Sequence, residues 1–320
     1  MSKPAIETSE VHKMYSSFGR KVHALRGVTL EVPENSIFGL LGANGAGKTT
    51  LLKLMLGLMR PTKGSISVFG GNTSYYGSRR SFGYLPENHK FPQYMTGRDV
   101  LEIFAGLSGM SFREARKRVP VVIDQVGLQP SVLTMKVKKY SKGMQQRLGL
   151  AQALISNPRV VFLDEPTDGV DPVGRKDIRD LLKALRDEGK TVFLNSHLLS
   201  EVELVCDRVA ILSQGSLTWE GTVADIQSKA VTYSFFTSQP SEEAWTRMKA
   251  ICGEPRWFGD HFELDLSDVS QVSAVIDVLR AEEVSIFEVT RKRKSLEDFF
   301  IETVSNGSRQ YVGPAEGGVR

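Results

Sequence analysis

The 320-residue chain is long enough for one large and one small domain. Its 41% hydrophobic and 24% charged residues exclude collagen-like and disordered classes, and a formal charge of +4 gives no argument for a nucleic-acid partner. Its two cysteines, Cys206 and Cys252, stand far apart without metal-ligand spacing and read as reduced structural thiols. The start, Met1 to Glu10, carries Glu7 and Glu10 and lacks an apolar core, so no signal peptide is expected. No segment approaches the ~20 apolar residues of a membrane-crossing helix. The richest stretch, Leu51 to Met59, contains Lys53 and reads as a core helix.

Along the chain, short β-rich apolar runs occur at Ile37–Leu41, Val160–Leu163, Thr191–Leu194 and Val209–Leu212. Helical periodicity follows three of them, at Lys48–Leu58, Arg175–Arg186 and Leu199–Val205. This alternation predicts an α/β fold with a parallel-sheet core flanked by helices. From Gly97 to about Leu154 clear strands are missing, and Asp99–Leu107, Arg113–Val126 and Gly143–Ala153 read as helices. Residues 97–154 are therefore expected to form a helical subdomain inserted in a sheet domain of residues 1–225. Further on, Thr232–Phe236, Phe262–Leu266 and Val284–Thr290 read as strands, with helices at Glu242–Ile251 and Val269–Ala281. A small C-terminal α+β domain over 232–304 follows from that order. The tail 305–320, with Gly307, Gly313, Pro314, Gly317 and Gly318, reads as disordered. The basic run Arg291-Lys292-Arg293-Lys294 reads as solvated surface, with anionic lipid or nucleic acid as the sharper alternative.

Chemistry concentrates in two segments. Gly42-Ala43-Asn44-Gly45-Ala46-Gly47-Lys48-Thr49 is a complete P-loop pattern with a strand before it and a helix after it. Its glycines let the backbone wrap closely round phosphates, and the helix N-terminus adds partial positive charge. Lys48 would neutralise the β- and γ-phosphates, and the Thr49 hydroxyl would ligate Mg²⁺, a hard cation that prefers oxygen. Nucleotide contacts are thus expected from Gly42, Asn44, Gly45, Gly47, Lys48, Thr49 and Thr50. The second segment, Val160-Val161-Phe162-Leu163-Asp164-Glu165, puts two carboxylates at the C-terminal end of a buried strand, where open α/β sheets place ligands. Asp164 suits the Mg²⁺ shell, and Glu165 suits the base that polarises the attacking water. Alone, such a run is also an ordinary core strand.

Tyr140-Ser141-Lys142-Gly143-Met144-Gln145-Gln146-Arg147 precedes a helix shortly before the acidic pair, and alone it is a Ser-capped helix. With the P-loop it resembles the signature of the ATP-binding-cassette (ABC) family, usually Leu-Ser-Gly-Gly-Gln. Ser141 and Gly143 match, while Tyr140, Lys142 and Met144 depart. The resemblance covers about Ala5 to Asp225. It implies that Ser141 and the helix start at Gly143 contact the γ-phosphate of ATP held by a second subunit. Tyr15 matches the aromatic that stacks on adenine, although an aromatic near an N-terminal strand is also a core position. Asp168-Gly169-Val170-Asp171 stands where the family's loop crosses to the partner, and Asp171 is its matching residue. His197 matches the histidine that contacts the γ-phosphate. In Gly83-Tyr84-Leu85-Pro86-Glu87, Glu87 replaces the usual Gln, which touches Mg²⁺ and couples the site to the membrane partner. Glu can still ligate a hard cation, and it resembles a variant of ABC-2 type exporters. Leu296–Phe300 also resembles the closing helix of such exporter ATPases.

The resemblance therefore implies a catalytic set of Glu165, His197 and Lys48, a metal set of Thr49, Glu87 and Asp164, and ATP and Mg²⁺ as cofactors. The implied function is ATP hydrolysis coupled to export through an integral membrane permease. The working form would be a homodimer, or a heterodimer with a second ABC ATPase, cytoplasmic and peripheral on the inner face of the membrane. The rival class is a soluble ABC ATPase acting on ribosomes or DNA. Translation-factor types carry two cassettes and DNA-repair types split the cassette with a long coiled coil, whereas this chain has one cassette and no sustained heptads. A non-hydrolytic nucleotide-binding regulator is disfavoured because Glu165 and His197 are both present. No nucleic-acid partner is expected.

Overall fold

The computed structural model describes residues 4–17, 20–73, 75–228, 231–266, 268–292 and 295–306. The chain divides into a large unit, running to Gly221 and joined by residues from Thr303, and a smaller unit, Thr222–Glu302. The large unit opens with β1 (Pro4–Ser17) antiparallel to β2 (Arg20–Pro33), followed by β3 (Ile37–Leu41) and α1 (Lys48–Met55). Next come β4 (Lys63–Val68), β5 (Gly71–Asn72) and β6 (Phe82–Leu85), and then three helices, α2 (Gly97–Leu107), α3 (Phe112–Gln125) and α4 (Lys142–Leu154). The chain returns to the sheet through β7 (Val160–Asp164), α5 (Pro172–Asp187), β8 (Thr191–Asn195), α6 (Leu199–Val205), β9 (Arg208–Ser213) and β10 (Ser216–Thr222).

A six-stranded sheet in the order β10-β9-β3-β8-β7-β6 forms the centre of this unit, with β9, β3, β8, β7 and β6 mutually parallel. Every residue of β3, β7 and β8 is buried. Parallel strands covered on both faces require such unbroken apolar runs, which is why these strands are legible in the sequence. A chain of aromatic contacts crosses them: Phe38 to Phe193 at 5.9 Å between centroids, Phe193 to Phe162 at 5.8 Å and Phe162 to Phe82 at 5.4 Å. The strand order places β8 between β3 and β7, so the P-loop and the acidic pair emerge at one edge, on either side of the β8 terminus.

Three features differ from the sequence expectation. A second, antiparallel sheet, β2-β1-β4-β5, accompanies the parallel one. Its period-2 pattern is blurred by register shifts in β1, one beside Glu10, whose φ is 47°. Helix α1 stops at Met55 instead of Leu58. Gly57 takes φ 65°, and the N–H of Leu58 reaches back to the carbonyl of Lys53, a left-handed termination. Helix α5 begins at Pro172 instead of Arg175, because Asp171 caps it and Pro at the first helical position is preorganised. The helical stretch between β6 and β7 is held by its caps: Thr96 with Asp99 and Ser111 with Glu114 form reciprocal capping boxes at α2 and α3.

The smaller unit comprises α7 (Val223–Ser228), β11 (Val231–Thr237), α8 (Glu242–Cys252), β12 (Arg256–Trp257), β13 (His261–Leu266), α9 (Val269–Ala281) and β14 (Ile286–Lys292), with α10 (Leu296–Asn306) closing the described chain. Its sheet order is β12-β13-β11-β14, with antiparallel pairings. Phe235 stacks on Phe262 at 5.0 Å, and Met248, Val275 and Leu279 fill the core beside them. Val284 is a buried loop residue before β14 instead of the start of that strand. Ser305 belongs to α10, and the tail from Gly307 lies outside the described residues, as do Arg293 and Lys294. Both cysteines are free thiols, and burial pushes that of Cys206 far up. Among the described residues, no helix is long and apolar enough to cross a membrane.

Candidate active site

The loop between β3 and α1 is shaped for an anion. Gly47 occupies the N-cap position at φ 106°, and no side chain caps the helix there, so the first N–H groups of α1 are not taken by a local carboxylate or hydroxyl. A Cβ on Gly47 would lie 2.7 Å from the carbonyl oxygen of Ala24, so both conformation and space demand glycine. Asn44, Gly45, Gly47, Lys48, Thr49 and Thr50 line one wall of a cavity of about 420 Å³, and Val22 and His23 of β2 contribute to another. Lys48 is 9% exposed, and its Nζ donates to the carbonyls of Gly42 at 2.6 Å and Ala43 at 3.3 Å. Burial pulls its pKa down, against the opposing pull of Glu165, Asp164 and Glu87. These carboxylates are therefore close enough to act on the ammonium group.

The end of β7 supplies two of them. Asp164 is 3% and Glu165 8% exposed. Glu165 sits at φ 52°, a left-handed conformation that is costly for a non-glycine residue, and its N–H donates to the carbonyl of Asn195 at 2.9 Å. The residues following β8 serve this pair in turn. Asn195 Nδ2 donates to Asp164 Oδ1, Ser196 Oγ donates to Glu165 Oε2 at 3.3 Å, and His197 Nδ1 lies 2.8 Å from the same Oε2. Burial raises the pKa of Asp164, the Asn195 hydrogen bond opposes that, and Glu87 and Glu165 add to it. Tyr84, on β6, is likewise raised by burial, Asp164 and Glu87. Asn195 itself is 2% exposed, and its Oδ1 has no hydrogen-bond partner among the described residues. A desolvated acceptor of that kind costs about 1–3 kcal/mol.

Lys48, Glu87, Asp164, Glu165 and His197 are thus brought together by the fold. Ser141, Gly143, Asp171 and Tyr15 do not line the P-loop cavity. Ser141 caps α4, its Oγ accepting from the N–H of Met144 at 3.2 Å, and Asp171 caps α5, its Oδ1 accepting from the N–H of Gly174 at 2.7 Å. Tyr15 pairs across the β1–β2 ladder with Val22, a cavity residue, and its hydroxyl lies 3.5 Å from Thr50 Oγ1. Lys142, a departure from the family signature, pairs with Asp168 at 3.2 Å, and Gln146 Nε2 donates to the carbonyl of Pro166 at 2.6 Å. Residues missed in the sequence are Asn195, Ser196 and His89. The last has Nδ1 3.3 Å from the Pro86 carbonyl and Nε2 3.2 Å from that of Gln145, bridging the Glu87 loop to α4. Two polar residues closing the apolar run of β8 just before His197 were the available signal.

The chain is similar to several known proteins. The ABC transporter family pattern matches residues 25–168. An ABC transporter ATP-binding protein of Synechocystis is 38% identical over 302 residues, covering 92% of this chain and 83% of that protein. The bacitracin transport ATP-binding protein BcrA of Bacillus licheniformis is 32% identical, covering 95% of this chain and 98% of its own. Among solved structures, a dimeric ATP-binding cassette in a post-hydrolysis state with ADP and Pi is 26% identical, with a TM-score of 0.63 over 68% of this chain and 98% of that one. The chain belongs to the ABC transporter ATP-binding proteins: it is an ATP-binding, ATP-hydrolysing subunit of a transporter.

Proposed function

We propose that this chain hydrolyses MgATP between two cassettes and thereby drives export through a separate membrane permease, to which it binds on the cytoplasmic face. The observation that carries the chemistry is the convergence of a buried ammonium group, two buried carboxylates and a histidine at the P-loop edge of one sheet. Thr49, Asp164 and Glu87 are the oxygen donors suited to Mg²⁺. Mg²⁺ is commonly held by one or two carboxylates together with substrate phosphates, a donor set that Asp164 and Glu87 could supply. When bound there, Mg²⁺ neutralises charge on the phosphate oxygens. Lys48 exchanges its loop carbonyls for phosphate oxygens. Glu165 accepts the proton of the attacking water. Both Ser196 and His197 fall on Oε2, which leaves Oε1 as the proton acceptor. Ser141, Gly143 and Asp171 are assigned, on the family resemblance, to the nucleotide of the partner cassette, and Tyr15 to the base.

One observation supports the transport reading: a relative of nearly the same span is named for bacitracin transport. For the small unit, Thr222–Glu302, the roles considered are dimer support, regulation or a purely structural one. The class is tested by purifying the chain from detergent-solubilised membranes. An integral membrane protein is expected to co-purify with it, and recovery with ribosomes instead would overturn the transporter assignment.

Glu87 gives a finer check of the metal set. A carboxylate and an amide oxygen can both ligate Mg²⁺, so Glu87→Gln is expected to keep substantial ATPase activity, and Glu87→Ala to lose more, most visibly at low Mg²⁺. The measurement is phosphate release across a MgCl₂ titration. Equal, unimpaired activity in both variants would place Glu87 outside the metal shell.

A further inference from the structure

Asn195 ends β8, the strand that separates the P-loop strand from the acidic strand, with Leu40 of β3 and Asp164 of β7 as its Cα partners. Its side chain is almost fully enclosed. An ionised carboxylate offers only acceptors, so the contact with Asp164 Oδ1 commits the amide NH₂ to that side and fixes the opposite orientation for Oδ1. That oxygen has no partner among the described residues. The carboxylate assigned to the cation therefore has one of its two oxygens already engaged. A purely structural tie between β8 and β7 does not explain the arrangement. The backbone ladder, extended by the Glu165 N–H to Asn195 carbonyl bond, already makes that tie.

We propose that Asn195 is a positioning residue for the nucleotide-bound cation: Nδ2 holds Asp164 Oδ1, so that Oδ2 is the oxygen left for the metal. Asn195 acts through Asp164 and need not touch the metal. The inference rests on the assignment of Asp164 to the cation.

The test is equilibrium binding of N-methylanthraniloyl-ATP to the full-length protein, with MgCl₂ titrated in and, separately, in EDTA. The variants are Asn195→Ala, Asn195→Leu, which keeps bulk without polar atoms, Asn195→Ser, which restores a donor and an acceptor, and Asp164→Asn. Thermal melting without nucleotide identifies any variant that fails to fold, and Leu carries the test if Ala does not fold. Removing an outer-shell partner costs ~10-fold or more in metal affinity, so Ala and Leu are expected to shift the Mg²⁺ dependence by that factor without changing affinity in EDTA. Ser is expected to recover part of the loss. Equal weakening with and without Mg²⁺, or none in either, overturns the proposal. If Asp164→Asn shifts the Mg²⁺ dependence and the Asn195 variants do not, the metal assignment stands and the role of Asn195 falls. If Asp164→Asn has no such effect, both fall.

Discussion

Glu165→Gln is expected to reduce steady-state phosphate release ~10²-fold or more while nucleotide affinity is retained, the usual scale for losing a general base. The substitution is nearly isosteric, and its amide oxygen can still accept from Ser196 and His197, which hold Oε2 in the parent chain. What disappears is the capacity of the second oxygen to take a proton from water. Lys48 lies on the opposite side of the charge balance, and its contacts to Gly42 and Ala43 do not involve Glu165. Binding and turnover should therefore separate. Phosphate-release kinetics beside fluorescent-nucleotide titration measures both. Wild-type turnover in Glu165→Gln would remove the residue from the base role and leave its left-handed backbone, at φ 52°, without a catalytic reason.

Placing Ser141→Arg in the Glu165→Gln background should abolish the dimer that MgATP otherwise induces. A P-loop surrounds one side of the triphosphate, and the γ-phosphate still needs donors on its open face as charge shifts during transfer. Ser141, at the start of α4, matches the family signature, which the resemblance assigns to the nucleotide of a twofold-related copy. The serine also caps α4, and losing a cap costs about 1 kcal/mol. Ser141→Ala isolates the steric effect, since it loses the cap and the hydroxyl donor without filling the interface. Light scattering should show Glu165→Gln and its Ser141→Ala derivative as dimers at saturating MgATP, and the Ser141→Arg derivative as a monomer. If Glu165→Gln stays monomeric with MgATP and its membrane partner present, the two-cassette arrangement fails for this chain.

Much of the large unit was legible because its central strands are buried on both faces. Ile37–Leu41, Val160–Asp164 and Thr191–Asn195 cannot alternate polar and apolar residues, so they stand out as unbroken runs. The P-loop is legible for a different reason: its glycines recur at fixed spacing before Lys48-Thr49, and Gly42, Gly45 and Gly47 all take positive φ. The β1–β2 pair was not legible, since its half-buried alternation is broken by register shifts. β12 was invisible at two residues, because its pairing with β13 is set by the hairpin and not by composition. Within the site, side chains that act directly announce themselves by type, as Lys48, Asp164 and Glu165 do. Asn195 and Ser196 act by holding other residues, and only the register of β7 against β8 shows what they hold. His89 is harder still, for while one carbonyl contact is with nearby Pro86, the other is with Gln145, 56 residues away.

The balance of charge around Lys48 bears on how a nucleotide-free control should be engineered. Its ammonium group is opposed by three carboxylates, Glu165, Asp164 and Glu87, and it is itself among the influences that keep Asp164 from being raised further. Deleting the cation would leave an uncompensated cluster of like charge, and Asp164 would hold its proton more tightly. A Lys48→Ala protein is thus altered at Asp164, the carboxylate proposed for the metal, as well as at the proposed phosphate contact, so a defect observed in it has two sources. Lys48→Arg preserves the countercharge while changing reach and shape, which makes it the cleaner silencing allele for separating occupancy of the cassette from the electrostatic integrity of the empty protein.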